Sequence, residues 1–215
     1  MIHNLSNNNS IFNTFIGEIR HIEIQKDPLR FRRNMERISE IMAYELSKSL
    51  NYQTEPVETP LGTAHVNHLT EQPVLATILR AGLSMHQGLL NYFDRAESAF
   101  ISAYRKHKNA EEFDIQVEYL ASPLLDKRTV IISDPMLATG NSMVMVYKAL
   151  LKQGKPAKVI IVSAIATQEA LDLVKKHLPE NTEIWVGAID GELTAQSYIV
   201  PGLGDAGDLA YGVKC

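Results

Sequence analysis

From Val74 onward the chain alternates short, largely apolar runs with helical stretches, and this rhythm constrains its fold more than any other feature. Val74–Leu79 is the first such run, followed by Arg80-Ala81-Gly82 and a helical stretch to Tyr92. Ala99–Tyr104 and the alternating Ile115–Leu120 read as two strands of a hairpin around a polar segment, Lys106 to Glu112. Val130–Ser133 and Val159–Ala164 read as buried strands and Ile184–Val186 as a shorter one. Between them lie two amphipathic helices: Asn141–Gln153, with Met145, Ala149 and Leu150 inward and Gly154 as its stop, and Gln168–His177. Strands without a polar face need cover on both sides, so the pattern predicts an α/β protein with a parallel sheet flanked by helices. Ligands of such sheets bind beyond the carboxyl ends of the strands, and chemistry-bearing residues are sought there.

Upstream, Asp27-Pro28 predicts a helix start, with Met35, Ile38, Met42 and Leu46 at helical spacing and an end near Leu50. Tyr52 to Val66 holds Pro56, Pro60 and Gly62 between β-prone pieces and predicts a hairpin arm. The Asn-rich start predicts a mobile N-terminal extension over residues 1–25, leaving 26–215 as a single domain. With 45% hydrophobic residues there is material for a packed core, which excludes disordered and collagen-like classes. A net charge of -4 argues against a nucleic-acid partner. No apolar run approaches a membrane span, and the N-terminus lacks the basic and apolar regions of a secretory signal. The single cysteine, Cys215, allows neither an internal disulfide nor a multi-cysteine metal site. Cytoplasmic location and no membrane partner are the expectations. His65/His68 is the one histidine pair with ligand-like spacing, and no metal site is assigned to it.

The densest chemical pattern is Thr129 to Ser142. A buried strand ends in Asp134, then comes the spacer Pro135-Met136-Leu137-Ala138, then Thr139-Gly140-Asn141-Ser142 opening a helix. Helix N-terminal amides with the Thr139 and Ser142 hydroxyls can cradle a phosphate. Asp134 at a strand tip can accept sugar hydroxyls or a water of hydrated Mg²⁺. An ordinary βα turn with a threonine cap would carry the same pattern. In Ile78-Leu79-Arg80-Ala81-Gly82-Leu83, a guanidinium leaves a strand tip beside small residues that admit a diphosphate close to the backbone. Tyr198-Ile199-Val200-Pro201-Gly202-Leu203-Gly204-Asp205-Ala206-Gly207-Asp208 is too rich in Gly and Pro for a regular element and reads as a binding loop.

Apolar strand, acid, four-residue spacer and Thr-Gly resemble the phosphoribosyl diphosphate (PRPP) motif of the type I phosphoribosyltransferases. Asp134-Pro135, where most of that family has two adjacent acids, together with the Tyr198–Asp208 loop, resembles the uracil phosphoribosyltransferases. The resemblance runs from about Pro28 to the end; Asn141 stands where a second glycine is expected, and Asp190–Thr194 departs from an Asn-containing stretch. It implies the type I phosphoribosyltransferase fold with a C-terminal hood, and the reaction uracil + PRPP → UMP + diphosphate. It further implies that Arg80, Arg105, Asp134, Pro135, Met136, Leu137, Ala138, Thr139, Gly140, Asn141, Ser142 and Asp205 bind PRPP. Ile199, Gly204, Asp205 and Ala206 would contact uracil. Mg²⁺ would arrive with PRPP, no residue is assigned as general acid or base, and residues 105–112 with the hood would close over the site. A homo-oligomer and GTP as an effector are implied on the same basis. A nucleotide-binding regulatory protein of the same fold is the competing reading, against which Asp134-Pro135 and the acidic charge speak.

Overall fold

The computed structural model describes residues 1–107 and 113–214. Its first strand, β1 (Ile2–Asn4), lies parallel to a strand near the other end of the chain, Ile2 opposite Ile184 and Asn4 opposite Val186. α1 (Ile11–Arg20) starts on the Ser10 hydroxyl, which accepts the Phe12 N–H, and buries Phe12, Ile16 and Ile19. Residues 1–25 therefore belong to the sheet and core and are not the mobile extension that their polar start predicts. Asn7, Asn8 and Asn9 lie between β1 and α1, while apolar residues recur along one face of α1. His3 stacks on Trp185 with ring centroids 3.9 Å apart, adding to the seam between β1 and the sheet.

α2 (Pro28–Ser47) begins as predicted, with the Asp27 carboxylate accepting the Leu29 N–H at 3.0 Å and Pro28 in the first turn. It buries Met35, Ile38, Met42 and Leu46. β2 (Tyr52–Thr59) and β3 (Gly62–Leu69) form a separate, largely exposed antiparallel hairpin, the predicted arm.

The alternating segment then builds the sheet through β4 (Val74–Leu79), α3 (Leu83–Leu90), β5 (Glu97–His107), β6 (Phe113–Ala121), β7 (Thr129–Ser133) and the short β8 (Met136–Leu137). α4 (Asn141–Leu150), β9 (Lys158–Thr167), α5 (Gln168–His177) and β10 (Glu183–Asp190) complete it. The order is β1-β10-β9-β7-β4-β5-β6, parallel except for β5–β6, with β8 added beside β9. β11 (Glu192–Leu193) pairs with β12 (Ile199–Val200) outside this sheet, and α6 (Ala206–Tyr211) follows.

Successive strand residues face opposite layers. Leu75, Ile131, Ile160 and Val162 meet α1, α2, α3 and α6, whereas Val74, Ala76, Val130, Ile132, Val159 and Ile161 meet α4 and α5. Both faces are covered, which is why the strands read as apolar runs with no polar side. On α4 the expected phase is off for one residue. Ala149 and Leu150 are buried, but Met145 is 36% exposed, because the inward stripe is Met143, Val146, Tyr147 and Leu150 at i, i+3, i+4 and i+7.

Glu183 at the start of β10 fastens three elements. It accepts from Lys158 Nζ of β9 at 2.6 Å, from Ser49 Oγ beyond α2 at 2.9 Å, and from Trp185 Nε1 at 3.2 Å. Burial raises its carboxyl, but these partners outweigh burial and hold it below the ordinary glutamate value. A carboxyl lowered in the folded state stabilises above its unfolded value, and that contribution is lost as pH falls through the folded value. Glu183→Gln should therefore cost about 1 kcal/mol at pH 7, with the gap to wild type closing as the medium is acidified below the ordinary glutamate value. Urea melts of both proteins across pH check this; a gap that persists at low pH would show that packing, not charge, is involved.

From β4 the chain moves outward to β5 and β6 and returns to β7 on the other side of β4. The loops after β4 and β7 consequently part, leaving a crevice at the reversal of strand order. Among the described residues, no helix is long and apolar enough to cross a membrane.

Candidate functional site

Three loops converge on this crevice. The first follows β7. Asp134 N–H donates to Val162 O at 3.1 Å and Ile165 N–H to Pro135 O at 3.0 Å, so the chain beyond β7 is tied along β9 before it reaches α4. The Thr167 hydroxyl donates to Ala138 O at 2.7 Å and also accepts the Ala170 N–H at 3.0 Å, linking the loop to the start of α5. Gly140 turns the chain into α4 at φ +78, and a Cβ there would stand 2.9 Å from Ala170 O. The glycine requirement thus sits at Gly140. Asn141 is the first helical residue and does not adopt positive φ, so its departure from the family pattern leaves the turn intact.

The second loop follows β4. Thr77, two residues before the end of β4, and Ser133, the last residue of β7, lie side by side and fully buried, with hydroxyls 3.0 Å apart. Gly82 packs directly on them. A Cβ at this residue would collide with Thr77 Oγ1, lie 2.8 Å from Ile78 O, and crowd Ser133 O at 3.2 Å. Gly82→Ala should lift the loop off the strand tips, destabilise the fold by about 1–3 kcal/mol and lower turnover by more than tenfold. A melt and a steady-state assay of the variant test this; wild-type values in both would mean the loop tolerates the displacement. The Leu79–Arg80 peptide is cis. Arg80 Nη2 pairs with Asp208 Oδ1 at 3.1 Å and its Nη1 donates to Gly212 O at 3.2 Å, which aims the guanidinium along α6.

The third loop runs from β12 to α6. Gly202 and Gly204 have φ of +55 and +92, left-handed conformations that favour glycine, and Val200–Pro201 is cis. Asp205 caps α6, its Oδ1 accepting the Asp208 N–H at 2.9 Å.

Between the loops lies a cavity of about 540 Å³, lined by Asp134, residues 136–140, Ser142, Met143, Gln196–Tyr198, Asp205 and Lys214. A second, of about 200 Å³, opens beside it, lined by Leu79–Ala81, Asp134, Met136, Ser142, Asp205–Gly207 and Lys214. Asp134 and Asp205 border both. Burial pushes the Asp134 carboxyl up to about 7, and the hydrogen bond from Met136 N–H offsets only part of that.

The structure thus brings together Arg80, Asp134, Met136, Leu137, Ala138, Thr139, Gly140, Ser142, Asp205 and Ala206 of the predicted residues. Pro135, Asn141, Ile199 and Gly204 do not line either cavity. Pro135 is buried, and the Ile199 side chain, 5% exposed, belongs to the core. Arg105 lies on β5 opposite Ile115; its side chain, and the segment 108–112 expected to close over the site, fall outside the described residues. Sequence reasoning missed Gln196, Ser197, Lys214 and the pairing of Asp208 with Arg80. Asp208 stands within the Gly-rich loop, where an acid facing a cationic loop could have been sought. Lys214 carried no signal, because only the fold of α6 brings the chain end over the crevice.

A family model described as uracil phosphoribosyltransferase matches residues 7–213. A uracil phosphoribosyltransferase of Porphyromonas gingivalis is 56% identical over 205 residues, 95% of each chain. One of Methanothermobacter thermautotrophicus is 39% identical over 188 residues, 86% of this chain and 85% of that one. The solved structure of a protein from Aquifex aeolicus superposes with a TM-score of 0.87 at 32% identity, covering 99% of both chains. A hypoxanthine phosphoribosyltransferase from Staphylococcus aureus shares the fold alone, with a TM-score of 0.51 and 16% identity over 75% of this chain and 76% of that one. With its three loops gathered at one crevice and the family match extending over nearly all of it, the chain belongs to the uracil phosphoribosyltransferase family.

Proposed function

We propose that the protein transfers the phosphoribosyl group of PRPP to uracil, yielding UMP and diphosphate, a pyrimidine salvage reaction of the cytoplasm. The observation that carries this reading is the meeting of a phosphate-type helix start, a cationic small-residue loop and a Gly-rich loop over two adjoining cavities that share Asp134 and Asp205. A phosphate sits on the α4 N-terminus with Thr139 and Ser142, and the diphosphate lies beside Arg80 and Ala81. The ribose joining them passes over the two shared carboxylates. As the C1–O bond lengthens, positive charge grows on the ribose and negative charge on the diphosphate. Arg80, with Arg105 in the same role, stabilises the leaving group, while Asp134 and Asp205 orient and offset the ribose. Uracil approaches the opposite face, held by main-chain groups of residues 198–206, and no side chain is assigned to remove its proton.

Among the described residues, no group of three or more His, Cys, Asp or Glu could hold a metal ion by itself. Two half-buried carboxylates beside the diphosphate site fit Mg²⁺ delivered with PRPP, where the diphosphate and water supply most of the oxygens. Bound there, the cation would neutralise charge on the departing diphosphate. A homo-oligomer is part of this reading, supported by the β2–β3 arm, whose tip leaves Leu61 100% exposed.

The test is diphosphate release from PRPP with uracil, cytosine, orotate, hypoxanthine and adenine in turn. Release with uracil alone is expected. Release with a purine or orotate in its place would overturn the substrate, and tight UMP binding with no release from any base would favour the regulatory reading.

A further inference from the structure

We infer that Arg20, Gln25 and Asp190 form a clamp that positions the base-reading loop from behind, so that the N-terminal helix sets affinity for uracil without touching it. This rests on the assignment of residues 198–206 as the loop that holds uracil.

Arg20 is the last residue of α1 and Asp190 the last of β10. Their side chains meet in a two-pronged pair, Nη1 to Oδ2 at 2.7 Å and Nη2 to Oδ1 at 2.8 Å, with side-chain exposures of 21% and 7%. The same pair grips one residue of the loop by both its polar main-chain groups. Arg20 Nη1 donates to Gly202 O at 3.2 Å, and Gly202 N–H donates to Asp190 Oδ2 at 2.9 Å. Gln25, in the turn after α1, faces the carbonyls of Ile19 and Leu203. Its amide nitrogen is therefore the atom turned toward them, at 3.1 and 2.7 Å. Three side chains thus engage the polar main-chain groups of two consecutive loop residues.

The loop needs such support. Gly202 and Gly204 have little conformational preference of their own, and main-chain groups can read a base only if they are aimed. Gly202 is also packed so tightly on the Ile199 carbonyl that no Cβ would fit, so the loop cannot be stiffened by a larger residue there. None of Arg20, Gln25 or Asp190 lines either cavity. They are positioning residues, and their loss should loosen uracil far more than PRPP, which is held mainly by the other two loops and here only by Asp205, itself fixed separately as the cap of α6.

Three variants test this by steady-state kinetics and thermal melts. Arg20→Met combined with Asp190→Asn removes the ion pair without leaving a buried charge; the KM for uracil should rise about tenfold or more, with that for PRPP within about twofold of wild type. Arg20→Lys keeps the charge but cannot bridge both partners, and should fall between this variant and wild type. Gln25→Ala removes two neutral hydrogen bonds, one of them to the loop at Leu203, and should raise the uracil KM about threefold, which keeps the test open if the double variant fails to fold. A uracil KM unmoved in Arg20→Lys and Gln25→Ala, or uracil and PRPP constants rising in step, would overturn the clamp. Wild-type protein that ignores uracil would instead overturn the functional reading.

Discussion

Asp134→Asn combined with Thr139→Ala is expected to give a folded protein whose turnover has fallen by at least ~10³, since a single well-aimed polar group in such a site is worth ~10² to 10³. The reason to expect folding is specific. Burial has pushed the Asp134 carboxyl up to about 7, so the folded state favours its neutral form. For a carboxyl raised in this way, stability is fully present below the unfolded value and is lost as pH rises through the folded one. At pH 8 the wild-type carboxylate is therefore a cost to the free protein that Asn removes. Thr139 contributes only a long bond, 3.4 Å from the Asn141 N–H, so its loss should cost at most about 1 kcal/mol. The melting temperature of the double variant relative to wild type should rise between about pH 4 and 7 and level off above, the window between the ordinary and the shifted carboxyl. Near-wild-type turnover in the folded variant would sink the assignment of this loop to PRPP.

The second large effect is base choice. Uracil should be used at least ~10⁴ times more efficiently than cytosine by kcat/KM, and purines not at all. Uracil presents an N3–H donor between two carbonyl acceptors. Cytosine has an acceptor at N3 and an amino donor beside it. Main-chain groups in the rigid 198–206 loop cannot rotate to accommodate that reversal, and each mismatched buried polar group costs about 1–3 kcal/mol. The Ile199 side chain lies in the core, so Ile199→Ala should weaken binding through packing without changing the preference. Competition assays with both bases decide; similar kcat/KM values would show that the loop does not read this edge.

The sheet was legible because its strands are covered on both faces, and a short run such as Val130–Ile132, apolar at every position, suits a strand buried between two helix layers. Asp27-Pro28 and the Pro/Gly-punctuated arm were legible because capping and turn chemistry are local. The site loops were legible as motifs, since Gly140 and Gly82 stand where backbone geometry admits no side chain. Residues 1–25 were misread because β1 pairs with β10 and Arg20, at the end of α1, with the C-terminal loop, and such pairings leave no local trace. Met145 was misplaced because a stripe covering half a helix permits more than one phase until its neighbours are known. Arg20 and Gln25 were invisible for the same reason as β1: each acts on main chain some 180 residues away, at Gly202 and Leu203.

The pairing of β1 with β10 also sets the order in which this protein can be completed during synthesis. Ile2 leaves the ribosome among the first residues, yet its partner Ile184 is translated near the end. Until then the edge of β9 that receives β10 is unpaired and α1 has only α2 to pack on, and closing so long a loop is slow. The nascent chain therefore carries an unpaired strand edge and a half-covered helix through most of its translation, features that make an incomplete chain prone to aggregate. Ribosome-bound chains ending before Glu183 should remain protease-sensitive at α1, and become resistant once β10 has emerged.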